Sequence, residues 1–204
     1  MIVWINGAFG AGKTQAAYEL VRRTDRSVLC DPEIVGHGLN SMVPPAVRGD
    51  FQDLPAWRIG VRDQLAAVDS APEHDLVVVP MTLIRPAYHE EILDHLAARG
   101  HDVRHVVLTA RPATLRRRLR GRAAPLLGRG EAWALSRVDR CVSALDDDEV
   151  VGRASVRIST DHLSHDQVVE AVATAVGVSL VRPRRSAPGR RLQTLANQLR
   201  AIRP

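Results

Sequence analysis

A three-layer α/β fold built on a five-stranded parallel sheet is the class the sequence predicts. Three observations predict it. Short runs rich in Val, Leu and Ile alternate with stretches long enough for helices. The runs are apolar at consecutive positions rather than at every second one, which suits strands covered on both faces. The first run feeds directly into a glycine loop and then a helix, and strands joined by crossover helices form a parallel sheet.

In order, the expected strands are residues 2–6, 27–31 (SVLCD), 75–80 (DLVVVP), 103–109 (VRHVVLT) and 154–159 (ASVRIS). The expected helices are 13–23, 56–69, 86–99, 112–121, 131–145 and 164–176. The last opens with Ser164 and Gln167, spaced as a capping box. No internal repeat is visible. Ligands of such a fold sit beyond the carboxyl ends of the strands.

The glycine loop is GAFGAGKT, residues 7–14, which matches G-x-x-x-x-G-K-T. It contains the chain's only lysine: of 28 Lys and Arg residues, Lys13 alone is not arginine. Phosphates are wrapped by backbone N–H groups at a helix N-terminus, where the dipole favours anions. A compact ammonium on a flexible stem fits the narrow loop, and a planar guanidinium does not. The expected nucleotide cradle is therefore Gly7, Ala8, Phe9, Gly10, Ala11, Gly12, Lys13, Thr14 and Gln15. Lys13 is expected on the β- and γ-phosphates of ATP and the Thr14 hydroxyl on Mg²⁺. The fold class narrows to a P-loop NTPase of nucleoside/nucleotide-kinase type, with a helical lid and a C-terminal amphipathic helix.

Composition bounds the rest. The length of 204 residues suits one domain, here 1–181, with an appendage at 182–204. No run of 18 apolar residues is present and no signal-peptide pattern opens the chain, so the expectation is a cytoplasmic protein. Cys30 and Cys141 read as reduced thiols. The net charge is +5, but residues 182–204 hold seven arginines and no acid, so the body is slightly acidic and not a nucleic-acid-binding surface. Eight histidines show no ligand spacing.

Several strand ends carry candidate chemistry. Strand two ends at Asp31, placed to orient or deprotonate an acceptor hydroxyl. The same residue, followed by Pro32, also reads as a helix cap. Strand three ends in Pro80-Met81-Thr82 with no acid, which argues against a motor-type ATPase. In DFQDLPAWR, residues 50–58, Trp57 and Arg58 either stack and pair with the acceptor or pack into the core. Arg118 and Arg122 share a helix face, and Arg137 and Arg140 follow on the next helix. Helix, glycine-containing loop and helix, over about 115–140, read as a lid in which Arg118, Arg122 and Arg140 close over the γ-phosphate. Arg116, Arg117 and Arg120 read as a solvated face. Asp161 reads as a base-pocket residue or a turn former.

In the tail, Leu192, Leu195, Leu199 and Ile202 form one helical stripe flanked by Arg190, Arg191, Arg200 and Arg203. Docking on the domain, docking on a second subunit as a homodimer, and peripheral contact of 190–203 with the inner face of the membrane all remain open.

The segments MIVWINGAFGAGKTQ, CDPEIVGHGLNSMVP, DFQDLPAWR, VPMTLIRPAYHEEI, TLRRRLRGRAA, WALSRVDRCVSAL and TDHLS together resemble bacterial tunicamycin-resistance ATP-binding proteins. The resemblance runs from residue 1 to about 176; the lid loop APLLGRGEA is longer here. It implies a P-loop nucleoside-kinase-like fold, ATP binding, protection against a uridine-containing nucleoside antibiotic, and Asp31 as base. Two activities follow as expectations: a phosphotransferase acting on a small nucleoside-like hydroxyl substrate, or a protein that sequesters such an antibiotic with ATP bound.

Overall fold

The computed structural model describes residues 1–121, 129–147 and 156–184. Five parallel strands form one sheet: β1 (Ile2–Gly7), β2 (Ser27–Leu29), β3 (Leu76–Pro80), β4 (Val103–Thr109) and β5 (Val156–Ser159), in the order β2-β3-β1-β4-β5. β1 is central, with Ile2 opposite Val77 on one side and Val103 on the other.

The consecutive apolar residues are explained by burial on both faces. Ile2 and Trp4 of β1, with Val77 and Val79 of β3, face one core; Val3 and Ile5, with Leu76 and Val78, face the other. The period of two along each strand feeds both layers. One layer holds α1 (Lys13–Arg23), α5 (Pro112–Arg120), α6 (Arg129–Asp146) and α7 (His165–Val176). The other holds α3 (Pro55–Asp69) and a helical rod, α4, that runs through Pro86–His89, a π-type stretch Glu90–Asp94 and His95–Ala98.

Every expected strand and helix with described residues is present, with ends shifted by one or two residues. Among the described residues one α-helix lies outside those six: α2 (Pro32–Ser41), where Asp31 caps the start by accepting from Glu33 N at 3.0 Å. Its two glycines obscure it in the sequence, since glycine is a poor helix former. Gly36 is required by packing, because a Cβ there would lie 2.4 Å from the Phe51 ring. The capping box of α7 forms, with Ser164 N donating to Gln167 Oε1 at 2.8 Å.

The domain edge extends past 181. Arg182 donates to the carbonyls of Arg22 and Thr24, and Arg184 pairs with Glu170 at 2.5 Å. Residues 182–184 therefore belong to the domain rather than to a linker. The expected linker beyond them and the tail stripe lie outside the described residues. Among the described residues, no helix is long and apolar enough to cross a membrane.

Gly36→Ala gives a test with a definite sign. In an open helix this change stabilises, but here the methyl meets Phe51, which is itself held against Trp57 at 5.5 Å. Overpacking should dominate, lowering stability by about 1–3 kcal/mol. A urea midpoint equal to or above that of the parent protein contradicts this packing.

Candidate functional site

Residues 7–14 connect β1 to α1 and close on themselves. Gly7, Gly10 and Gly12 adopt φ of 150°, 85° and 102°. At Gly7 a Cβ would lie 2.6 Å from the Leu108 carbonyl, so only glycine fits there. Gly12 caps α1 without a side chain, leaving the first-turn amides facing the loop. Lys13 is 9% exposed, and its Nζ donates to Gly7 O at 2.8 Å and Ala8 O at 3.3 Å. The ammonium thus already sits inside the loop, 5.6 Å above the Phe9 ring. Thr14 is exposed in the same helical turn. A cradle of amides, one ammonium and one accessible hydroxyl fits a triphosphate and its cation.

The loop rests on a buried amide that the sequence reading did not single out. Asn6 is fully buried, and its Oδ1 accepts from Gly7 N at 2.7 Å and Leu83 N at 2.9 Å. Its Nδ2 donates to Leu83 O at 2.8 Å and lies 3.1 Å from His105 Nε2. Two amide donors on Oδ1 fix the side chain's orientation, so His105 Nε2 is the acceptor of the other Nδ2 hydrogen. His105 then carries its proton on Nδ1, 3.4 Å from His89 Nε2, and His89 Nδ1 faces Asp94 Oδ1 at 3.4 Å. Burial, with His89 adding to it, lowers the His105 pKa to about 3. His105 is therefore neutral near pH 7. Thr82 completes this floor by donating to Gly7 O at 2.8 Å.

Behind the loop lies a cleft of about 420 Å³ lined by Gly10, Gly12, Gln15, Arg118, Thr160 and His165, among others. Arg118, expected to close over the γ-phosphate, lines this cleft beside the loop. It donates to Thr160 Oγ1 at 2.9 Å, Thr160 O at 2.5 Å and Gly10 O at 3.5 Å. Burial, as the largest cause, pulls its pKa down from the usual guanidinium value. Arg118 walls this cleft together with Gly10 and Gly12 of the loop. Thr160, rather than Asp161, lines the cleft; Asp161 accepts from Arg111 N at 3.2 Å and ties down the start of α5. Its carboxyl is held below the usual range, first by a hydrogen bond from Thr114. Arg116 pairs with Asp139 and joins the two arms of the helical hairpin. Arg122 lies outside the described residues.

At the other end of the loop stand Asp31 and the segment DFQDLPAWR. Trp57 corrects one expectation. Its ring is fully buried, with Nε1 donating to Pro32 O at 3.0 Å, so it ties α3 to the start of α2 and offers no face for stacking. Arg58 is 9% exposed and held by Glu91 at 2.6 Å and Gln52 O at 2.7 Å. Gln52 Nε2 donates to Thr82 O at 2.9 Å, which links this segment to the loop floor. Opposite, on α6, Arg137 lies 4.4 Å from the Trp133 ring and 3.3 Å from Asp50. Trp133 in turn meets Phe9 edge-on at 5.1 Å. Arg140 is exposed on the same helix; Lys13, Arg137, Arg140 and Asp50 all act on the buried Cys141 thiol, whose pKa is raised chiefly by burial. Arg137 is thus a cation of α6 held between Trp133 and Asp50. Its aromatic neighbour at i−4 was the available signal.

The site combines a glycine-lysine loop, a cleft beside it and the Asp31 and 50–58 segments, on the fold of a P-loop nucleotide-binding protein of kinase-like type. The model of the AAA domain family matches residues 2–142. The tunicamycin resistance protein of Deinococcus radiodurans is 31% identical, with a TM-score of 0.70 over 89% of this chain and 98% of that one. The chain belongs to this family. A gluconokinase from Sinorhizobium meliloti shares the fold at 13% identity, TM-score 0.60, over 86% of this chain and 90% of that one. So does the Mycobacterium tuberculosis APS kinase, whose structure contains AMPPNP and APS, at 17% identity, TM-score 0.54, over 86% and 96%. No curated protein sequence matches the chain.

The buried histidine has a pH signature. His105 takes up a proton near 6.5 in the unfolded chain and near 3 in the fold. Between those values the unfolded state holds more protons, so stability is complete above the upper value and falls with pH toward the lower one. The slope is about 1.4 kcal/mol per pH unit. His105→Gln should lose this part of the slope in denaturation series across the acid range. Parallel slopes for the two proteins would contradict the neutral assignment.

Proposed function

We propose that the protein transfers the γ-phosphoryl group of ATP, with Mg²⁺, to a hydroxyl of a small nucleoside-like acceptor. The observation that carries this reading is the division around Lys13: an ammonium in the phosphate loop, a cleft with Arg118 and Thr160 on one side, and Asp31 with segment 50–58 on the other. A nucleotide in the cleft would direct its terminal phosphate toward the acceptor end.

Lys13 and the loop amides would hold the triphosphate, and Thr14 would hold the cation. Bound Mg²⁺ supplies charge neutralisation on the phosphates. Lys13 must leave the Gly7 carbonyl to do so, and Thr82 keeps that carbonyl satisfied. Asp31 would take the acceptor's proton as its oxygen bonds to the γ-phosphorus and the bond to ADP breaks. Its capping bond from Glu33 N fixes the carboxylate at the end of β2. Arg137 and Arg140 supply positive charge over the same region, and Arg58 shapes it through Gln52. Membership of a family that includes a tunicamycin resistance protein supports a nucleoside-like antibiotic as acceptor. The lack of an acid after β3 supports a small-molecule kinase over a motor ATPase.

The test is mass spectrometry of tunicamycin and a nucleoside panel after incubation with Mg-ATP. A gain of one phosphate is expected, absent with Lys13→Ala and reduced by about 10²–10⁴-fold with Asp31→Asn, the range for losing a general base. Unmodified tunicamycin that is nevertheless tightly bound would replace transfer by sequestration, with Asp31 acting only as a helix cap.

A further inference from the structure

We infer that Asp94 is a positioning residue for the phosphate loop: from the protein surface it sets which ring nitrogens of His89 and His105 carry hydrogen, and through them the orientation of Asn6. This rests on Mg-ATP binding by the loop, and not on the acceptor or on phosphoryl transfer.

The line begins at the loop. Asn6 Oδ1 accepts from Gly7 N, and Asn6 Nδ2 donates to Leu83 O and to His105 Nε2 at 3.1 Å. A neutral imidazole has one donor and one acceptor nitrogen. His105 is buried and neutral, so with Nε2 accepting, its hydrogen is on Nδ1. That hydrogen points along the 3.4 Å contact to His89 Nε2. His89 Nε2 must then accept, which puts the His89 hydrogen on Nδ1, facing Asp94 Oδ1 at 3.4 Å. Which ring nitrogen carries hydrogen is set by the partner of the other, so the carboxylate at the outer end gives the whole line its direction. Without that acceptor, His89 can hold its hydrogen on Nε2, against the Nδ1–H of His105. His105 could relieve the clash only by moving its own hydrogen to Nε2. Two donors would then meet where Asn6 is held, in a place without water.

The backbone of α4 brings Asp94 to this place. In a regular α-helix of 3.6 residues per turn, positions five apart point about 140° away from each other. Residues Glu90–Asp94 instead form the π-type stretch, in which His95 N donates to Glu90 O, five residues back. The widened turn lets residues 89 and 94 meet on one side. Such stretches are rare and recur at functional sites. The His89 side chain is 11% exposed and that of Asp94 36%, so the line runs from solvent to the loop.

The experiment uses the full chain. Nitrogen-15 shifts of the imidazole rings report which nitrogen carries hydrogen. Titration calorimetry gives the Mg-ATP affinity, with the stoichiometry reporting the folded fraction. In the unaltered protein both His89 and His105 are expected to carry hydrogen on Nδ1. Asp94→Ala should lower that share in both rings and weaken Mg-ATP binding at least about threefold, the size of a weakened hydrogen bond. Charge alone predicts the opposite sign, since removing a surface acid favours an anionic ligand. Asp94→Asn keeps an acceptor oxygen and should restore most of the affinity. His89→Phe fills the same space without ring nitrogens, and adding Asp94→Ala to it should cost nothing further. Hydrogen on Nε2 of His105 in the unaltered protein overturns the inference. So does Mg-ATP binding that is unchanged or tighter in Asp94→Ala, a loss that Asp94→Asn does not restore, or losses that add in the double variant. If the protein binds Mg-ATP with these effects but transfers no phosphate, this inference stands and the phosphotransferase reading falls. Failure of the unaltered protein to bind Mg-ATP overturns both.

Discussion

Everything at the site hangs on a side-chain amide with no access to solvent. Asn6 has two hydrogens and one oxygen, and all are used: Oδ1 by two backbone amides, Nδ2 by a backbone carbonyl and a histidine. A buried amide is costly when partly satisfied and rigidifying when fully satisfied. Here it ties the end of the central strand to the loop leaving β3 and to β4 at once. Trp4, two residues earlier on the same face, repeats the device by donating to Met81 O at 3.2 Å. The phosphate loop thus begins from a point fixed on three strands.

That constraint explains how a loop of glycines can be preorganised. Gly7 cannot carry a side chain because the Leu108 carbonyl is too close. Its amide is held by Asn6 and its carbonyl by Thr82 and Lys13. Lys13 is the exchangeable member of this set, since Thr82 remains when the ammonium moves to a phosphate. Thr82 also reaches outward, through its carbonyl to Gln52 and from there to Arg58. Segment 50–58 and the phosphate loop are therefore two hydrogen bonds apart.

The sheet and most helices were legible in the sequence because their signals are local: apolar runs, periodicity, a capping box and a glycine-lysine loop. The phosphate cradle was legible for the same reason. Helix α2 was legible only at its start, where Asp31 and Pro32 read as a cap, because Gly36 is dictated by a ring fifteen residues away in the chain. Trp57 and Arg118 take their places from similarly distant partners. An aromatic next to an arginine looks like a binding pair, yet burial of Trp57 and the carbonyl partner of its indole are set by α2. Arg118 sits on the expected helix, but its direction is decided by Thr160, beyond β5. Asn6, His105 and Thr82 gave no signal, since a polar residue inside an apolar run declares its partners only in three dimensions.

The most direct measurement is the affinity for Mg-ATP of Asn6→Ala, by titration calorimetry, with the stoichiometry reporting the folded, competent fraction. Asn6→Ser, which retains a small acceptor for the Gly7 amide, is measured beside it. If the buried amide sets the loop, the competent fraction of Asn6→Ala binds at least about tenfold more weakly, a loss of the size expected for one buried hydrogen bond. Asn6→Ser should recover part of that. Unchanged affinity in both variants would show that the loop holds its shape without Asn6, and would contradict the account.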